Sequence, residues 1–101
     1  MCIYNQAVEI SYDPIKNERN IRTRGLSFER ASDFKFETAV FQTQIRNGEL
    51  RRVAVGYLDG RLHVLCYIPL AEGIRVISFR KANTREAHEY GKEKTKATDW
   101  G

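Results

Sequence analysis

What this chain has little of narrows its function before any motif is considered. It carries two cysteines in 101 residues, Cys2 near the N-terminus and Cys66 inside an apolar run. Thiols so far apart and so differently placed indicate reduced cysteines in a cytoplasm and no disulfide framework. His63 and Cys66, three residues apart, fall on opposite faces of a strand and cannot converge on one ion, so no metal site and no cofactor are expected. The glycines form neither a P-loop nor a dinucleotide fingerprint, and no Ser or Cys nucleophile has a set of triad partners. No apolar run approaches the roughly 20 residues a membrane helix needs. The opening MCIYNQAVEI lacks a basic region followed by an apolar one, so no export signal is read there. There is no internal repeat and no low-complexity block. The length suits one domain with a single modest core, followed from Gly91 by a polar tail ending in Trp100 and Gly101.

What the chain has is positive charge. Seventeen Lys and Arg against thirteen Asp and Glu give a formal net charge of +4. Eleven of the seventeen are Arg, and the guanidinium fork grips phosphate oxygens bidentately where Lys acts as a point charge. A polyanion, nucleic acid first, is the leading partner class.

Local signals lay out the elements in order. Ala7 to Tyr12 alternates as a short strand. Asp13 as N-cap and Pro14 at the first helical position start a helix that stops near Arg24 at Gly25. That helix has a thin apolar face, Ile15 and Ile21, beside the basic Lys16, Arg19, Arg22 and Arg24. Ser27 caps a shorter helix with Phe28, Ala31 and Phe34 inward. A meander follows: Thr38 to Ile45, a turn at Asn47-Gly48, Leu50 to Leu58, a turn at Asp59-Gly60, then Arg61 to Leu70 as the central strand. Gly73 opens a fourth strand in which Ile74, Val76 and Ser78 alternate with Arg75, Ile77 and Phe79. Asn83 with Glu86 three residues later forms a capping box for a final helix from Thr84. The fold class is α+β, in the order β-α-α-β-β-β-β-α, with helices on one face of an antiparallel sheet. Where the fourth strand leaves the sheet and the last helix begins, Arg80, Lys81 and Arg85 surround free backbone N–H groups, an arrangement suited to an anion.

These residues resemble a known family. Tyr12-Asp13-Pro14 with Lys16 and Asn20, Gly25, Ser27-Phe28, Arg51 five residues before Gly56, Asp59-Gly60-Arg61, Arg75-Val76-Ile77-Ser78, Arg80-Lys81-Ala82, Arg85-Glu86 and Tyr90 together are similar to the BrnT toxins, over about residues 8 to 90. The resemblance implies a RelE-like fold and a ribonuclease toxin of a type II toxin-antitoxin module. It further implies neutralisation by a cognate DNA-binding BrnA-like antitoxin, with operator DNA reached only through that antitoxin. The family usually has Lys-His-Gly where this chain has Thr23-Arg24-Gly25, so a proton carrier is replaced by a permanent charge.

Metal-independent RNA cleavage requires in-line attack by a 2′-OH, stabilisation of a phosphorane and protonation of the leaving 5′-oxygen. On this reading Arg51, Arg80 and Lys81 clamp the scissile phosphate. Lys16 with Asn20, Arg24, Arg61, Arg85 and Tyr90 hold flanking RNA. Glu86, Lys16, His63 and Tyr90 are the candidates for proton transfer, with competing structural roles for three of them: Glu86 as cap, His63 as a packed histidine, Tyr90 as core. The alternative is a RelE-like binding module of weak or no activity, acting in a complex with the antitoxin and its operator.

Overall fold

Strong turn and cap chemistry fixes most of the chain locally. The computed structural model describes residues 9–100, with side chains through Lys94; Cys2, Ala7 and Val8 lie outside the described residues. Asp13 holds an extended backbone and its carboxylate accepts from Ile15 N at 2.9 Å, while Pro14 begins helix α1, Pro14–Arg24. Gly25, at φ 67°, closes it by donating to Ile21 O. Ser27 then caps α2, a 3-10 helix over Phe28–Asp33. Asn17 adds a second cap from α1, its Oδ1 accepting from Phe28 N at 2.7 Å.

The strands are β1 (Glu9–Tyr12), β2 (Lys35–Arg46), β3 (Glu49–Leu58), β4 (Arg61–Pro69) and β5 (Gly73–Lys81), followed by helix α3, Thr84–Trp100. Both expected hairpin turns form, with Asn47 at φ 52° before Gly48 at 78° and Asp59 at 53° before Gly60 at 75°. Positive φ at both central residues gives the twist a two-residue hairpin needs. The strand order is β1-β5-β4-β3-β2, so β4 is central as expected. The sheet is mixed, because β1 pairs with β5 in parallel, Glu9 opposite Gly73 through Tyr12 opposite Val76. β2 starts three residues before the expected Thr38. Its irregular stretch between Lys35 and Val40 is bridged by Thr38, whose hydroxyl donates to Lys35 O at 2.6 Å and accepts from Tyr57 N at 3.0 Å.

One residue changes the expected alternation of β5. Cys66 lies opposite Ser78 but Tyr67 lies opposite Val76, so Ile77 is an inserted residue and the faces switch across it. Ile74, Val76 and Phe79 therefore share the core face, in place of Ile74, Val76 and Ser78, and Phe79 is fully buried. The core joins these to Phe28, Ala31 and Phe34 of α2 and its C-terminal end, and to Ala54, Leu58, Leu65 and Tyr67. Phe34 meets Phe79 edge-on, with ring centres 6.0 Å apart. Each large side chain so buried contributes about 2 kcal/mol of transfer free energy.

The helices do not share one face. The 3-10 helix covers the core face, whereas α3 lies over the opposite face, above Val53, Val55 and Val64. α3 runs on through the stretch read as a polar tail, and among its described side chains only Glu86, Tyr90 and Lys94 are half-buried.

Gly73 is where β1 comes closest. A Cβ there would overlap the Glu9 backbone. We therefore expect Gly73→Ala to cost about 1–3 kcal/mol in urea unfolding and to raise hydrogen exchange in β1 while sparing the β2–β3 hairpin.

Candidate functional site

On the face opposite the core, the hairpin end of β2 and β3 lies beside α1. Gln44 stands opposite Arg51 across the hairpin, so Arg46 and Arg51 share a face. On α1, Lys16, Arg19 and Thr23 follow at helical spacing, with Asn20 and Arg24 on the adjoining side. Together with Ile77 and Ser78 these residues line an open cleft of about 400 Å³. Among the described lining residues five, Lys16, Arg19, Arg24, Arg46 and Arg51, are cations and none is acidic. Arg51 Nη2 reaches out to Glu49 at 3.3 Å, while its Nε lies buried without an acceptor among the described residues. Arg52, on the core face, also has a buried Nε without a partner, but its guanidinium stacks on Phe41 at 5.1 Å. The half-buried Cys66 feels the cleft: burial pushes its thiol up, and Arg51, Arg46 and Lys16 oppose that rise.

The other end of the same face departs from expectation. The helix start at Asn83 is occupied by its own capping box, with Asn83 N donating to Glu86 Oε1 at 2.9 Å and Glu86 N to Asn83 Oδ1 at 2.8 Å. The Arg80 fork is taken as well, donating to both Glu86 oxygens at 2.8 and 2.7 Å. Arg80 holds the Glu86 carboxyl at about 2, well below its ordinary 4.5, and the capping N–H adds to this. The expected anion pocket is filled by the protein's own carboxylate. A carboxylate so acidic is also a poor general base at neutral pH.

Nor do Arg51, Arg80 and Lys81 form one clamp. Lys81 lies opposite His63 and Arg80 opposite Val64, so the two adjacent cations point to opposite faces. Arg51 and Arg80 share a face but are offset by about four residues of β4, roughly 13 Å along the strand. Arg85, Glu86 and Tyr90 line a separate cleft of about 380 Å³ whose floor is Val40, Val53, Val55 and Val64, and Glu89 and Glu93 make it acidic. The Tyr90 hydroxyl donates to Thr38 O at 2.6 Å and its ring meets Tyr57 edge-on, so it packs α3 to the sheet. Arg61 is exposed on the core-face side of the Asp59-Gly60 turn, away from the cleft. His63 is 5 % exposed, with Nδ1 at 2.9 Å from Arg61 O and its ring against Phe79.

The structure thus brings together Lys16, Asn20, Arg24 and Arg51 of the expected set. It adds Arg19 and Arg46, which sequence reading left out of the site. Arg46 was detectable by counting alternation across Asn47-Gly48, which puts it on the face of Arg51. Among the described residues, no three His, Cys, Asp or Glu side chains gather where they could hold an ion, and no helix is long and apolar enough to cross a membrane.

A family model described as the ribonuclease toxin BrnT of type II toxin-antitoxin systems matches residues 12–86. The chain belongs to the BrnT ribonuclease toxin family. The crystal structure of the ribonuclease toxin BrnT of Brucella abortus is similar at a TM-score of 0.61 and 25% identity, over 76% of this chain and 99% of that one. Among curated proteins none matches. The α+β order of a strand, α1, a four-strand meander and a final helix is the BrnT-like fold, with β1 added in parallel at the β5 edge. Membership in the BrnT family implies ribonuclease activity, an RNA substrate and a cognate antitoxin.

The Arg80–Glu86 pair gives a pH signature. Its folded pKa lies below the ordinary value, so the stabilisation is complete above pH 4.5 and is lost as pH falls toward about 2. Glu86→Gln should cost about 1–2 kcal/mol at pH 7 and flatten the stability profile in that acid window, measured by urea unfolding from pH 2 to pH 6.

Proposed function

We propose that this BrnT-family toxin cleaves RNA internally without a metal ion, in the cationic cleft between α1 and the β2–β3 hairpin. The observation that carries this reading is the lining: among the described residues, five cations from two separate parts of the chain and no carboxylate. A cleft of that composition suits a phosphodiester and, more strongly, the phosphorane formed from it, which bears additional negative charge.

The reaction divides among few groups. The 2′-oxygen attacks the adjacent phosphorus and loses its proton to water; the P–O5′ bond breaks, leaving a 2′,3′-cyclic phosphate and a 5′-hydroxyl. Arg51 and Arg24, both lining the cleft, stabilise the non-bridging oxygens. Arg19 and Arg46 hold flanking phosphates. Lys16 supplies the proton to the departing 5′-oxygen, because an ammonium gives up a proton far more readily than a guanidinium does. The packing of His63, the acidity of Glu86 and the committed hydroxyl of Tyr90 support leaving these three out of proton transfer. A BrnA-like antitoxin would neutralise the toxin in the cytoplasm by laying acidic side chains into this cleft.

Purified protein incubated with RNA in EDTA should generate fragments ending in cyclic phosphate. Arg51→Ala should lower kcat/KM about 100-fold or more, and Lys16→Arg, which keeps the charge, should lower kcat with little change in KM. Intact RNA beside a protein whose cooperative melt shows it folded would sink the reading and leave a binding module. Binding to single-stranded RNA should weaken with salt, and Arg46→Ala should flatten the log–log slope by about 0.7, the share of one phosphate contact.

A further inference from the structure

The outer edge of β5 is left open along part of its length, and a single side chain closes it. β1 accompanies β5 only from Gly73 to Val76. Beyond that, Ile77–Lys81 has β4 on one side and, among the described residues, no strand on the other. Ala82 N donates to Leu62 O at 2.9 Å, and ladder alternation then makes Leu65 and Phe79 a pair that exchanges no hydrogen bonds. The Phe79 carbonyl consequently points away from β4, over the open edge. Asn20 meets it there: Nδ2 donates to Phe79 O at 2.9 Å and to Leu26 O at 2.9 Å.

With two carbonyls taking both amide hydrogens, the Asn20 side chain has one orientation, and it is 6 % exposed. Its Oδ1 is turned the other way, where Arg24 Nη1 donates to it at 3.0 Å, one helical turn further along α1. We infer that Asn20 is a positioning residue for the ribonuclease reaction, closing the β5 edge and by the same amide aiming the Arg24 guanidinium into the cleft. The inference rests on the cleft reading above. It assigns Asn20 no contact with RNA, since its amide is buried and every polar atom is used within the protein. Arg24 is thereby held by a rigid group instead of swinging free at the helix end, and held guanidinium forks are the ones that stabilise a transition state.

The test is a double-mutant cycle on the full chain, with kcat and KM measured on a short RNA in EDTA. Asn20→Ser shortens the side chain so that it no longer reaches Arg24. It should lower kcat about tenfold and leave KM within about twofold, as misplacement of a group acting in the transition state does. Arg24→Ala should lower kcat by at least as much. In the Arg24→Ala background Asn20→Ser should change kcat by less than about twofold, the non-additivity of two residues acting as one. Equal losses in both backgrounds, or no loss, would overturn the inference. Asn20→Asp is the second variant: it keeps an oxygen toward Arg24 but sets the other against two carbonyls. If neither variant melts cooperatively, Asn20 is only structural and the inference fails. Arg51→Ala separates this from the cleft reading: slowed by Arg51→Ala but not by Arg24→Ala, the enzyme keeps its cleft and loses only the role given to Asn20.

Discussion

One residue inserted in β5 decides how the rest of the structure is arranged. Without Ile77 as an extra position opposite β4, Ser78 and Arg80 would follow Val76 onto the core face and Phe79 would face out beside Arg75. The insertion puts Phe79 at the centre of the aromatic core and Arg80 on the opposite face within reach of Glu86. A fully buried guanidinium in place of a phenyl ring would be several kcal/mol worse, so the register shift separates the greasy half of this strand from its charged half. The opposite placement of Arg80 and Lys81 depends on that shift.

The same accounting explains why charge near a helix start did not make a binding site here. A helix N-terminus and two adjacent cations attract the nearest available anion, and Glu86 is three residues from Asn83 and tethered. Its effective concentration exceeds that of any diffusing ligand. The cleft beside α1 stays open because its cations come from elements distant in sequence and none brings a carboxylate of its own into the lining.

Features set by short-range chemistry were legible in the sequence. Asp13-Pro14, Gly25, Ser27, Asn47-Gly48, Asp59-Gly60 and the Asn83–Glu86 box each carry their own mechanism, and each stands where it was read. The order of elements followed from them, and so did the central place of β4. Docking of β1 was not legible, because a parallel edge strand has no turn that announces its neighbour. The face on which a strand's arginine lies was only half legible. Alternation places Arg51 and Arg46 together, but the insertion at Ile77 reverses the faces beyond it. Arg80 and Lys81, adjacent in sequence and both basic, invite a joint role that strand geometry forbids.

The order in which the chain closes on itself follows from the same topology. The hairpins join near neighbours, whereas Ser11 meets Ile74 across 63 residues and Asn20 meets Phe79 across 59. Loop closure over such spans costs more entropy and rewards the chain only after the intervening meander exists. The α1 wall of the cleft is thus seated late, when β5 has arrived to receive β1 and Asn20. During synthesis a ribosome must deliver nearly the whole domain before the arginines of the first helix can face those of the β2–β3 hairpin, so a nascent toxin carries its cations unassembled.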